Sequence, residues 1–347
     1  MRDIIDRLLA GAGIDGRVDS AETLIGRNAN LAVTLDTGAM YFAKQFRPGG
    51  AQRFERIVDF ESRAAAEVVR PELIAHSRED QVLVYRHLGG AEGAGVRLRE
   101  RRLPVEAIAD IGSRLGHMHR VAVDGLSDER HAQPPLDMFG AIPIGRFLGM
   151  SAGELEMIRI LQNDGALARA AHEIREQEAA HDYVARCIHA DLRLDQVMLV
   201  GERVYLTDFE DVRAGDPARD LGSFIGDLLF SAFVTIPQRI SSEEVSATAS
   251  HDDIMRCGGE ALDEIMPSVH AFVRGYAEVA GDLDEATSTR TVRFAGWHMF
   301  DRMFASSEAS FRVDGVIRAA AGIGRNLLLE PTDFLDIIEP RKELTQA

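Results

Sequence analysis

Lysine is almost missing from this chain of 347 residues: Lys44 and Lys342 stand against 37 arginines. Cysteine is as scarce. Cys187 and Cys257 are the only two, without CxxC or Cys/His spacing, which excludes a disulfide scaffold or structural zinc site and points to a reducing cytoplasm. No run of about 18 uncharged apolar residues occurs, so no membrane span is expected. The opening MRDIIDRLLAGAG breaks its apolar residues with Asp3, Asp6 and Arg7, which suits an amphipathic helix and not a signal peptide. Basic charge is short too: 39 Lys plus Arg against 56 Asp plus Glu leave a net charge of −17, unlike a general nucleic-acid binder, which needs a cationic surface to displace counterions. At 46% hydrophobic residues the chain is nevertheless a folded protein, long enough for two domains or one large bilobed unit.

Apolar spacing divides the chain. Leu31, Val33 and Leu35 alternate up to Asp36-Thr37-Gly38, and the alternation resumes from Tyr41 to Phe46, predicting a β-hairpin. Helical spacing from Gln52 to about Val69 is followed by strands at 73–75 and 81–85. Beyond them the pattern is mostly helical: 105–121, 152–162, 165–181, 219–235, 259–279, 288–306 and 312–328. A β island at 186–189, 197–200 and 204–207 interrupts it. Gly89–Gly95 and Ser241–Asp253 read as flexible loops. The expected architecture is α+β and bilobed: a β-rich N-lobe at 1–85, a hinge at 86–90, and a helical C-lobe at 91–347.

The island carries the chemistry. Asp191 lies in the loop after one short strand and Asp208 at the end of another, with a hairpin able to bring the two carboxylates together. Phosphoryl transfer needs such a pair, one to orient and deprotonate an acceptor hydroxyl and one to hold a divalent ion against phosphates. Lys44 alternates with Phe42 and Phe46 on one strand face, and a compact ammonium fits between phosphates where a wide guanidinium does not.

These residues resemble the aminoglycoside-phosphotransferase-like kinases, relatives of the protein kinases. His189-Ala-Asp191-Leu-Arg-Leu-Asp-Gln196 is similar to their catalytic loop, His-Gly-Asp-x-x-x-x-Asn, and Leu206-Thr-Asp208-Phe-Glu to their metal motif. The resemblance implies a protein-kinase-like fold, ATP and Mg²⁺ as cofactors, Asp191 as base, His189 as a loop-shaping residue, Asp208 as principal metal ligand and Lys44 on the phosphates. Gln196 departs from the usual Asn, one methylene longer but still offering an amide oxygen to a second ion. Asp220, near the start of a helix after Gly215-Asp-Pro-Ala-Arg, is implied to buttress the catalytic loop. Lys44 needs an acidic partner on the following helix: Glu61 lies on the inward stripe, with Glu55 as the alternative. Gly26, Asn28 and Asn30 stand where a nucleotide loop is expected, although only one glycine is present.

Gly26-Arg-Asn-Ala-Asn30, Leu192–Gln196 and Gly215–Asp220 further resemble the kinase subunits of class V lanthipeptide and thioamitide synthetases. That branch implies Ser/Thr of a ribosomal precursor peptide as acceptor and a phosphopeptide lyase as partner. The acidic charge equally suits a cationic small-molecule acceptor, such as an aminoglycoside or amino sugar, and the thin glycine loop with Gln196 leaves room for a non-catalytic pseudokinase scaffold. Asp195, Glu210, Asp211 and Asp301 are expected to line the acceptor site.

Overall fold

The computed structural model describes residues 1–26, 28–64, 66–129, 133–236, 251–308 and 310–338; Lys342 and most of the loop expected at 241–253 lie outside them. Alternation builds the first lobe as expected. Five antiparallel strands, β1 (Val18–Leu24), β2 (Ala29–Leu35), β3 (Met40–Gln45), β4 (Leu73–Ser77) and β5 (Val82–Arg86), form one sheet in the order β1-β2-β3-β5-β4. Helix α1 (Arg2–Gly11) buries Ile5 and Leu9 in a cluster with Val33, Tyr41, Ala43 and Val84 on one face of that sheet. Lys44 is one residue out of phase with Tyr41 and Ala43, so it turns to the opposite face, where α2 (Ala51–Arg63) packs Phe54, Ile57 and Phe60.

Three local expectations change. Strand β1 escaped notice because it is a polar edge strand, mostly exposed, with no alternating apolar signal. Helix α2 stops at Arg63 and not near Val69: Ala64 turns extended, and Arg70 folds back to donate to Glu61 at 2.7 Å and to the Ala64 carbonyl at 3.5 Å. Within the glycine-rich stretch expected as a loop, β6 (Glu92–Gly93) pairs with Leu199 and Met198, and α3 (Ala94–Arg99) begins at once. Arg97 and Arg102 both donate to the Glu92 carboxylate at 2.9 Å, tertiary bonds that local composition cannot show.

The second lobe contains α4 (Val105–His119), α5 (Ile144–Phe147), α6 (Ala152–Gln162), α7 (Gly165–Ala180), α8 (Pro217–Phe233), α9 (His251–Ala280), α10 (Glu285–Ser307) and α11 (Gly315–Leu329). Polar caps open several of them: Ser151 makes a capping box with Glu154, and Asp164, Asp216, Asp284 and Asp314 each accept from a first-turn N–H. Helix α9 begins at His251 and not near 259, so the end of the loop expected at 241–253 is helical. Helices α4 and α9 touch backbone to backbone, since a Cβ at Gly112 would stand 2.0 Å from the Phe272 carbonyl and one at Gly275 2.0 Å from that of Ala109. Inserted among the helices is the β island, with β7 (Arg186–Ile188) pairing β10 (Arg213–Gly215), and β8 (Val197–Val200) between β6 and β9 (Arg203–Leu206). The island's loops face the N-lobe sheet, and Lys44 reaches across to them. Among the described residues, no helix is long and apolar enough to cross a membrane.

Candidate active site

The loop from β7 to β8 carries His189 and Asp191. Ala190 between them has φ 66°, a left-handed conformation that costs an L-residue roughly 1–2 kcal/mol and explains why glycine is usual in the resembling motif. The strain is held by Asp220, fully buried in α8, which accepts from the backbone N–H of His189 at 2.6 Å and of Ala190 at 2.8 Å. His119 donates to the same carboxylate at 3.0 Å and is itself bonded to the Tyr276 hydroxyl at 2.9 Å. Burial alone would raise the Asp220 carboxyl's pKa, but the His119 hydrogen bond and the nearby imidazoles outweigh it and leave it below the ordinary value. The His189 ring donates through Nε2 to the Thr207 carbonyl at 2.8 Å and packs against Phe209, tying the Asp191 loop to the Asp208 turn.

Two turns of α8 after Asp220 a second buried aspartate does similar work. Asp227 accepts from the Leu194 N–H at 2.9 Å and from His298 at 3.1 Å. Burial would raise its pKa too; the His298 bond and charge, with Arg302 and the Leu194 N–H, bring it down to about 2. One helix face therefore grips the catalytic loop on both sides of Asp191. Sequence reasoning missed Asp227, although the seven-residue interval from Asp220 was a readable signal. Replacing Asp220 with alanine leaves two loop N–H groups and the buried Nε2 of His119 unpaired, and is expected to destabilise the fold by about 3–5 kcal/mol. Denaturant unfolding of the variant measures this; a loss below about 1 kcal/mol would show the buttress to be dispensable.

Asp191 is two-fifths exposed, at the floor of a cleft, and Arg193 donates to it at 3.0 Å. Desolvation by the cleft walls raises its pKa, only partly opposed by Arg193. Asp208 sits in a left-handed turn, φ 63°, that points its carboxylate at the N-lobe. There Lys44 donates to Asp208 Oδ1 at 2.5 Å and to Glu210 Oε2 at 2.9 Å. Burial would lower the ammonium's pKa, but these two carboxylates hold it above its usual value.

The expected partnership of Lys44 with Glu61 is not formed. Glu61 does lie on the inward stripe, but its Oε2 is taken by Arg70, and Glu55 pairs with Arg78 at the surface. Glu210, expected near the acceptor, is the lysine's second partner. It also accepts from Asn28 at 3.2 Å, which ties the start of β2 to the segment after Asp208. The Asn30 amide lies over Gly26, where a Cβ would stand 2.2 Å from Nδ2 and push that side chain aside. Arg27 lies outside the described residues. Gln196 fixes the loop through its carbonyl, which accepts from Thr207 N at 2.9 Å and Thr207 Oγ1 at 3.0 Å. Asp211 and Asp301 line the cleft as expected, whereas Asp195 is exposed and outside it.

Residues 25–248, well over half of the chain, match the model of the phosphotransferase enzyme family. The chain belongs to that family. This phosphotransferase matches no curated protein sequence. In fold it is similar to a choline/ethanolamine kinase family protein from Mesorhizobium loti, 17% identical with a TM-score of 0.56, covering 96% of this chain and 97% of that one. An amicoumacin kinase solved with AMP-PNP and Ca²⁺ is 14% identical at a TM-score of 0.52, over 90% of this chain and 88% of that one. A spectinomycin phosphotransferase solved with ADP and spectinomycin is 14% identical at 0.51, over 92% and 98%. At such identities the likeness establishes the bilobed kinase fold, and the family match establishes a phosphotransferase.

Among the described residues of the phosphotransferase no three His, Cys, Asp or Glu side chains gather as a metal cage. A divalent ion shared with a nucleotide's phosphates needs only one or two carboxylates from the protein. Asp208 fits as the carboxylate, with Lys44 engaging only its Oδ1. The cleft in front of Asp191 has a volume of about 460 Å³ and runs from Arg53 and Asp211 at the lobe boundary to Trp297 and Phe304 on α10.

Proposed function

We propose that the protein transfers the γ-phosphoryl group of ATP, with Mg²⁺, to a Ser or Thr hydroxyl of a ribosomal precursor peptide, preparing that residue for phosphate elimination by a partner lyase. The observation that carries phosphoryl transfer is that Lys44 of the N-lobe bonds Asp208 and Glu210, while His189 ties the turn bearing Asp208 to the loop bearing Asp191. Asp191 accepts the proton of the acceptor hydroxyl. The oxygen then attacks the γ-phosphorus, the bond to the β–γ bridging oxygen breaks, and ADP and a phosphomonoester leave. Lys44 meets the α- and β-phosphates, positioned by Glu210, and Gly26, Asn28 and Asn30 form the cover. Bound by Asp208 and Gln196, Mg²⁺ would offset phosphate charge. Asp220, Asp227 and His189 hold the loop in shape.

Two features support a peptide acceptor. One is the resemblance of the Gly26–Asn30, Leu192–Gln196 and Gly215–Asp220 segments to the lanthipeptide and thioamitide kinases. The other is an apolar ledge at the cleft: Ile144 and Leu148 are 71% and 76% exposed, Phe147 lies between them, and Arg146 of the same turn lines the cleft. Exposed apolar side chains beside a catalytic cleft give an extended chain something to lie on. The second reading, a small-molecule O-phosphotransferase, has the cleft's volume in its favour, since about 460 Å³ suits a small ligand. Incubating protein and ATP·Mg²⁺ with Ser/Thr-rich peptides and with an aminoglycoside panel, followed by mass spectrometry, separates them. Phosphorylated peptide with unmodified aminoglycosides supports the proposal, and the converse overturns it.

A further inference from the structure

The chain's charge of −17 is not carried into the acceptor cleft, where six arginines meet five carboxylates among the described residues. Most of the arginines are committed. Arg213 and Arg219 donate to backbone carbonyls and Arg219 also to Glu178, while Arg146 is bound by Asp137. Arg53, 41% exposed, has only long ion pairs at 3.7 Å, and Arg302 is the buried exception. Its side chain is only 15% exposed, yet it makes no hydrogen bond: the nearest carboxylate oxygens, of Asp301 and Asp227, stand at 3.6 and 4.0 Å. Both Asp227 oxygens already accept from Leu194 N and His298. Nε of Arg193 and Nε1 of Trp297 are also buried without a partner. A largely buried guanidinium with unmet donors is costly unless something supplies acceptors. These unpaired atoms are all donors, and they lie along the same wall as Asp191: Asp227 fixes Leu194, the residue after Arg193, which itself bonds Asp191.

Resting on the phosphotransferase reading above, we infer that the acceptor carries a carboxylate or similar anionic oxygen group near its hydroxyl, and that Arg302 reads it. Asp191 takes the hydroxyl while Arg302 holds the anion, which fixes the acceptor at two points. An acidic side chain next to the Ser or Thr of a peptide and the carboxylate of a free hydroxy acid present the same chemistry.

Trp297 is the only tryptophan of the chain and lies in this wall, so its fluorescence reports occupancy without turnover. Titrations would use tryptophan-free hexapeptides with Ser beside Glu, Gln or Lys, and L-malate as a free hydroxy acid, against wild type, Arg302→Gln and Arg302→Lys. The Glu peptide, L-malate or both are expected to bind at least about tenfold tighter than the Gln and Lys peptides, the scale of a charge-assisted hydrogen bond. Arg302→Gln erases that preference and Arg302→Lys keeps part of it. Preference for the Glu peptide alone identifies a peptide source, and for L-malate alone a free hydroxy acid. Equal or tighter binding of the Lys peptide by wild type, or a preference that survives Arg302→Gln, would overturn the inference. Phosphorylation of neutral or cationic acceptors alone would overturn it while leaving the kinase reading intact.

Discussion

Asp191→Asn is expected to lower kcat on the order of 100- to 10,000-fold, the range for removing a positioned general base, with the KM for ATP little changed. Asparagine keeps the shape and cannot take the proton. Steady-state kinetics with any phosphorylated acceptor measure the effect, and a variant at wild-type rate would remove Asp191 from the chemistry. The same residue sets a pH signature. Its pKa is raised above the ordinary 3.8, chiefly by desolvation and against the pull of Arg193. The base works ionised, so kcat/KM falls as pH drops through that raised value. Arg193 favours the charged form, so Arg193→Met should move the acidic limb to higher pH. A limb that stays put or moves down would show that another group titrates.

Lys44→Arg is the second large effect, a loss in kcat/KM on the order of 100-fold. The change looks conservative and keeps the charge. However, Lys44 is 8% exposed and its ammonium fits between Asp208 and Glu210 at 2.5 and 2.9 Å, with the Phe46 ring 5.3 Å away. A planar guanidinium is wider, and its fork cannot occupy that point without displacing one carboxylate. In a chain that otherwise uses arginine 37 times, this is the position where arginine should fail. Kinetics at saturating and limiting ATP distinguish the expected loss from simple weakening of nucleotide affinity. Activity within threefold of wild type would show that lysine here is incidental.

What was legible in the sequence is what local chemistry writes there. The strand face shared by Phe42, Lys44 and Phe46, the two aspartates flanking a hairpin, and the apolar spacing of the C-lobe helices are all set by neighbours in the chain. The partners were less legible. Glu61 satisfied every local rule for pairing with Lys44, yet Arg70, nine residues later, claims it, while Glu210 arrives from 166 residues away. Asp227 is marked only by its interval from Asp220 and His298 by nothing local, because Asp227 holds a backbone N–H supplied by the fold and His298 holds Asp227. Net charge says nothing of the cleft's lining, where arginines and carboxylates nearly balance, because it sums the whole chain.

The central claim is that this cleft moves a phosphoryl group onto a hydroxyl. Following ATP, Mg²⁺, protein and a Ser-containing acceptor by ³¹P NMR tests it most directly. The account predicts that the γ-phosphate resonance declines as ADP and a phosphomonoester appear together, and that neither product forms with the Lys44→Met protein. ATP resonances that broaden on binding and then persist unchanged with every acceptor would contradict it, and would mark the protein as a nucleotide-binding scaffold.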